Sequence, residues 1–253
     1  METESKPEQA RLMTITIRMF PAGNGDSFLV TGSQDNAFAI LIDGGYSATF
    51  REHIHPHLKT LSSYECALDL VVATHIDADH ISGLISLLRQ NEIADLLTPI
   101  PIRNIWHNGF RHLAEASADG QELTRAESEI LLEIKRKGFA KATEASGAKE
   151  EISAHQGSSL GKLIVEGGYP WNDAAAGRAI QAGVLHTIRD AAQIEVIGPF
   201  DSRLAELRRW WIRELRSLGV SAISSDAATY SDVFEFICSH ERIAGVSVRG
   251  IAR

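Results

Sequence analysis

The segment "LDLVVATHIDADHISGL", residues 68 to 84, constrains this chain more than any other. It opens as an apolar, β-branched run with the composition of a buried strand, and it must stop where His75 interrupts it. From Ser82 onward, "SGLISLLRQNEI" has helical spacing. Between them, two histidines and two aspartates, His75, Asp77, Asp79 and His80, crowd into six positions. The polar cluster therefore falls between a strand end and a helix start, where sites in layered α/β proteins tend to lie.

The flanking sequence supplies the rest of a sheet. "MTITIRMF" alternates Met13, Ile15, Ile17 and Met19 with Thr14, Thr16 and Arg18, the period of a strand with one buried face. "PAGNGD" supplies a tight turn, so "SFLVTG" is expected to return as the second strand of a hairpin, with Gly23, Gly25 and Asp26 serving turn geometry. "AFAILIDGG" reads as a third, buried strand whose carboxyl end presents Asp43. A short helix is expected over residues 47 to 61, a strand in "PIRNIWHNG", a charged amphipathic helix over 120 to 138, and a polar linker in "KATEASGAKEE". "AAQIEVIGPF" is a further strand. "DSRLAELRRWWIRELRSLG" is the clearest helix, with Asp201 or Ser202 as its N-cap and Gly219 as its stop. The order of elements implies an α/β or layered α+β domain. It is read as a flexible start over residues 1 to 12 and one domain over 13 to 253, with an inserted helical region at 113 to 160.

Composition narrows the function classes. A formal charge of -8 argues against a broad basic surface for gripping nucleic acid, although a local basic groove is compatible with it. Apolar runs all fall short of the roughly 20 residues that span a bilayer, and the polar start lacks a secretory hydrophobic segment, so a cytoplasmic location with no membrane contact is the expectation. Two cysteines, Cys66 and Cys238, lie outside any CxxC spacing and are read as small buried residues, with a single bridge between them left open. No phosphate-binding GxxxxGK loop occurs.

The cluster itself has the donors of a metal site. In extended geometry His75, Asp77 and Asp79 share one face, and a turn at 77 to 80 can return His80 to them. Imidazole with carboxylate suits zinc, manganese or iron, and the carboxylate share moves preference toward Mn²⁺ or Mg²⁺. Such a centre hydrolyses by acidifying a water molecule. The plain alternative is that Asp79 or Ser82 caps the following helix. Four donors in six positions favour the metal site.

"THIDADHISGL" resembles the HxHxDH metal motif of the metallo-β-lactamase superfamily, with Asp77 where the second histidine normally stands. "GNGDSFLV" and "ILIDGG" resemble that fold's opening hairpin and its first aspartate strand. The HxDxDH form with a GxGDS turn is similar to the ComEC-like branch of the superfamily. Weaker likeness continues through "QGSSLGKLIVEGGYPWN" and "IEVIGPFDSRLAELRRWW", so the resemblance covers most of residues 13 to 220.

The resemblance implies an αββα sandwich and metal-dependent hydrolysis of a phosphodiester or another ester, in a small molecule or a nucleic acid. It assigns His75 and Asp77 to a first metal, and Asp79 and His80 to a second. One or two Zn or Mn ions are implied. Asp79 is also implied to orient or deprotonate the attacking water, and Asp43 to hold the motif loop. The second half of the fold normally adds a bridging aspartate, often in "TGD", and a late histidine, often in "HHGS". Neither pattern occurs here, and Asp226, Asp232 and His240 stand in other contexts. The fold is therefore expected to be incomplete. Either the gene product is truncated or degenerate, leaving a catalytically impaired interaction module, or a partner chain or second copy completes the site.

Three other features have simpler readings. His53, His55 and His57 alternate, but Pro56 favours a surface loop or helix. His107 and His112 can line the site if the following loop folds over it, and aromatic packing is the simpler role. Trp210 and Trp211 fit a core-facing position on a helix whose arginines face solvent.

Overall fold

The computed structural model describes residues 14–33, 37–92, 100–109, 112 and 160–217. The helix expected over 120 to 138, the linker after it, Cys238, Asp226, Asp232, His240 and the stop at Gly219 lie outside those residues, as do the side chains of Trp210 and Trp211.

Strands β1 (Ile15–Met19), β2 (Phe28–Gly32), β3 (Phe38–Ile42), β4 (Leu70–Val72) and β5 (Ile105–Trp106) form one sheet in that order. The first three are antiparallel, and β3, β4 and β5 are parallel. Between β3 and β4 the chain is helical from 47 to 63: α1 (Ser47–Thr49), a π-turn (Phe50–Ile54) and α2 (His55–Ser63). Helix α3 (Ala78–Glu92) connects β4 to β5. After β5 come α4 (Leu160–Glu166), a hairpin of β6 (Leu185–Ile188) and β7 (Ala192–Glu195), and α5 (Asp201–Ser217).

Alternation along the strands divides the apolar side chains between two faces. Leu29, Ala39, Leu41, Val71 and Ile105 meet Ile54, Leu58, Ile81, Leu84, Leu88 and Leu163 from the helices, forming one core. Phe38, Ile40, Leu70 and Trp106 point the other way, onto Ile188, with Ile194 packed alongside. The β6–β7 hairpin is thus a second sheet layer laid on the first. Continuous apolar runs in β3 and β4 follow from being covered on both faces.

Ion pairing also holds the layers together. Asp69, buried just before β4, accepts the Ala39 N–H at 3.0 Å and takes Arg189 Nε, from the turn between β6 and β7, at 2.6 Å.

Two expectations need correction. Strand β1 has no buried face among the described residues: Ile15, Ile17 and Met19 are 52%, 66% and 72% exposed. Ile17 pairs with Val30, which packs into the inter-sheet core, so the apolar side of β1 lies on the inter-sheet face beyond the hairpin's cover. The second correction concerns "GVLHTI", whose pairing with the expected strand as β6 was not anticipated. Its alternating exposure pattern is too short to stand out from surrounding glycines.

Candidate metal centre

The site is built from three chain segments that leave the sheet at one edge. Strands β3 and β4 run parallel with Ile42 opposite Val72, so Asp43 and the Ala73–His75 segment emerge side by side. The Asp43 N–H donates to Val72 O at 2.8 Å, and the Ser27 hydroxyl, from the first hairpin, donates to Asp43 O at 2.9 Å. Asp43 itself turns sharply, with φ at +54°, a conformation that aspartate tolerates better than branched residues.

Helix α3 begins at Ala78, four residues earlier than the sequence pattern suggests. Asp77 O receives the N–H groups of His80 and Ile81, so Asp77 stands at the helix entry. Asp79 and His80 are consequently in the first turn. Ser82 is within the helix and donates to Ala78 O; neither it nor Asp79 precedes the helix as a cap. The extended face shared by His75, Asp77 and Asp79 is replaced by a helical turn that folds His80 back over His75, with ring centroids 3.6 Å apart.

Glycines allow the segments to meet this closely. Gly44 N–H donates to His80 O at 2.7 Å and Gly83 N–H to Gly45 O at 2.9 Å. A Cβ on Gly44 would collide with the Gly83–Leu84 backbone, one on Gly83 with the Gly44 carbonyl, and one on Gly25 with the Asp79 carbonyl. Gly25 therefore does more than shape a turn, because it admits the backbone of α3. The spacings "GNGD", "DGG" and "HISG" are three sides of one backbone contact.

Asp43, His75 and His80 each offer a ligand atom, all within 4.8 Å of one another. Asp43 and His80 are buried, whereas the side chains of His75 and Asp77 retain 25% and 20% of their exposure. The Asp43 carboxylate accepts the Thr74 N–H at 2.8 Å through Oδ1, and the Thr74 hydroxyl at 2.5 Å and His80 Nδ1 at 2.9 Å through Oδ2. Thr74 Oγ1 is 2.9 Å from His75 Nδ1.

Charge divides the two imidazoles. Burial and the adjacent His80 hold His75 below its usual pKa, against the pull of Asp77, Asp43 and Asp79. Burial also opposes charge on His80, but its hydrogen bond to Asp43 and the carboxylates of Asp43, Asp79 and Asp26 outweigh it, and its pKa is raised.

Two imidazoles with an adjoining carboxylate at this separation fit a divalent transition metal, the carboxylate holding an imidazole in place. Of the residues expected in the site, His75 and His80 converge, joined by Asp43, which had been expected only to hold the loop. Asp77 Oδ2 lies 3.5 Å from His75 Nε2, beside the group. Asp79 is buried in the first turn of α3 and is not part of the three-residue convergence. Thr74 was missed by sequence reasoning. Its only signal was its place directly between a strand end and a candidate ligand.

The remaining histidines make other contacts. His53, His55 and His57 lie on the helical segment, with His55 Nε2 3.0 Å from Gln90 Nε2 and His57 against Phe20. His107 stacks on Trp171 at 5.7 Å and His112 meets the same indole edge-on at 4.5 Å, whereas Phe110 lies outside the described residues. Cys66 is half-buried and carries a free thiol.

Comparison with known families agrees with the geometry. No curated protein matches the sequence closely enough to count as a relative. The profile of the metallo-beta-lactamase superfamily matches residues 20–170, more than half of the chain, a span that contains β2 to β5, Asp43 and the whole of His75–His80. The mixed α/β architecture and the His/Asp cluster at its sheet edge are in keeping with that match, and the chain belongs to the metallo-beta-lactamase superfamily.

Proposed function

We propose that the protein is a metal-dependent hydrolase of a phosphodiester or another ester, using Zn or Mn, as one or two ions. The observation that carries this reading is the convergence of Asp43, His75 and His80 at the sheet edge, within a segment matched by the superfamily profile. When bound there, a divalent cation supplies a water molecule acidified toward neutral pH and a Lewis acid for the scissile bond. His75 and His80 would hold it. Asp43 keeps the His80 ring in place through the Nδ1 hydrogen bond, leaving Nε2 to ligate. Asp77 is assigned beside His75 as a further ligand, and Asp79, buried at the start of α3, as the carboxylate that ligates and takes a proton from the attacking water. The HxDxDH pattern with its GxGDS turn supports placement in the ComEC-like branch.

Metal analysis of the purified protein, with hydrolysis assays in Mn²⁺ and Zn²⁺ on bis-p-nitrophenyl phosphate and single-stranded DNA, tests the reading. Stoichiometric metal is expected, with activity abolished in Asp79→Ala. No bound metal at saturating Mn²⁺ or Zn²⁺ would sink it.

A second reading is favoured by the exposed apolar side of β1 on the inter-sheet face. Here the fold is incomplete, and a partner chain or second copy covers Ile15, Ile17 and Met19 and completes the site. Hydrolysis that appears only on association would distinguish it from the first.

A further inference from the structure

The Thr74 hydroxyl stands between the two histidines of the cluster. Its Oγ1 is 2.5 Å from Asp43 Oδ2 and 2.9 Å from His75 Nδ1, and the same Asp43 oxygen is 2.9 Å from His80 Nδ1. An ionised carboxylate only accepts hydrogen bonds, so Thr74 commits its single hydroxyl proton to Asp43. Oγ1 is then left with lone pairs alone. The 2.9 Å contact to His75 must be donated by the imidazole, which places the proton of the neutral ring on Nδ1. The same reasoning applies to His80, whose Nδ1 faces the Asp43 carboxylate directly.

We infer that Thr74 is a positioning residue: its hydroxyl relays the Asp43 carboxylate to His75, so that one acid fixes the Nδ1–H tautomer of both histidines and turns both Nε2 lone pairs toward a metal ion. The metal in this statement rests on the function proposed above; the tautomers do not. The competing arrangement puts the proton on Nε2, toward Asp77 Oδ2 at 3.5 Å. That contact is beyond ordinary hydrogen-bond length, and it would leave lone pairs facing each other across the 2.9 Å gap between Nδ1 and Oγ1.

Thr74 suits a clean substitution. The residue is exposed, and its backbone N–H bond to Asp43 Oδ1 at 2.8 Å persists whatever the side chain. Thr74→Val keeps the shape and removes the hydroxyl; Thr74→Ser restores it. Long-range ¹⁵N–¹H correlation spectra of the metal-free protein, at a pH where both rings are neutral, read the tautomers. Calorimetric titration with Zn²⁺ or Mn²⁺ reads the affinity. Expected are Nδ1–H on both rings in the wild type and Thr74→Ser, loss of that preference at His75 in Thr74→Val, and a metal affinity lowered about tenfold to a hundredfold in Thr74→Val alone.

The inference is overturned if His75 carries Nε2–H in the wild type. It is equally overturned if Thr74→Val keeps the wild-type tautomer, or if Thr74→Ser is as impaired as Thr74→Val. A wild-type protein that binds no metal defeats the proposed function, and the spectra of the metal-free protein still decide the role of Thr74.

Discussion

At the scale of single residues, Asp43 ties several parts of the site together. Its two oxygens receive Thr74 and His80, and its backbone is tied to β4 and to the first hairpin. Asp43→Asn removes the charge that raises the His80 pKa, so an NMR titration of His80 is expected to show it falling toward or below its usual value. Loss of this support is expected to weaken metal binding about tenfold to a hundredfold by calorimetry. The raised pKa also has a consequence for pH. A histidine whose folded pKa exceeds its unfolded value, 6.5, contributes stability that is fully present below that value and is lost as pH rises through the folded pKa. The metal-free wild type is therefore expected to lose part of its stability on the alkaline side of 6.5, and Asp43→Asn to lose this dependence, as read by denaturant unfolding across pH. Metal affinity should run the opposite way, rising with pH as His80 gives up its proton to ligate.

At the scale of elements, the site depends on how closely α3 approaches the loop after β3. Gly83 lies inside α3, where alanine would ordinarily gain about 1 kcal/mol of helix propensity. The atoms its Cβ would strike are the backbone of Gly44, which cannot rotate away. The clash decides the sign: Gly83→Ala is expected to destabilise by about 1–3 kcal/mol in urea unfolding, and to reduce metal binding by moving His80. The layer contact has a separate anchor. Arg189 is partly exposed and can be rehydrated, but the Ala39 N–H that Asp69 satisfies is buried. Asp69→Ala should therefore cost about 1–3 kcal/mol, with Arg189→Ala costing less, both measured by the same unfolding experiment.

At the scale of the whole molecule, the inter-sheet face is covered by the β6–β7 hairpin at β3 to β5 and open at β1. Ile17 is solvent-exposed, so Ile17→Lys is expected to change the stability of an isolated chain by less than about 0.5 kcal/mol. If association covers this edge, the same substitution lowers the molar mass found by light scattering while the fold, read by circular dichroism, persists. Among the described residues no helix is long and apolar enough to cross a membrane.

Much of this arrangement is legible in the sequence because it depends on local chemistry. Alternating and continuous apolar runs specify which segments are strands, and the polar residues at 43 and 75 to 80 mark where those strands must end. What the sequence by itself determined was therefore the strand edge, the hairpin and the set of donors. Only the tertiary structure decided which donors converge. The turn into α3 starts at Ala78, the parallel register sets Asp43 beside Thr74, and three glycines admit backbone contact between segments far apart in the chain. Those choices depend on through-space packing at distances of a few ångströms, for which spacing along the chain carries no signal. They made Asp43 a member of the cluster, gave Thr74 its place between Asp43 and His75, and left the apolar side of β1 exposed.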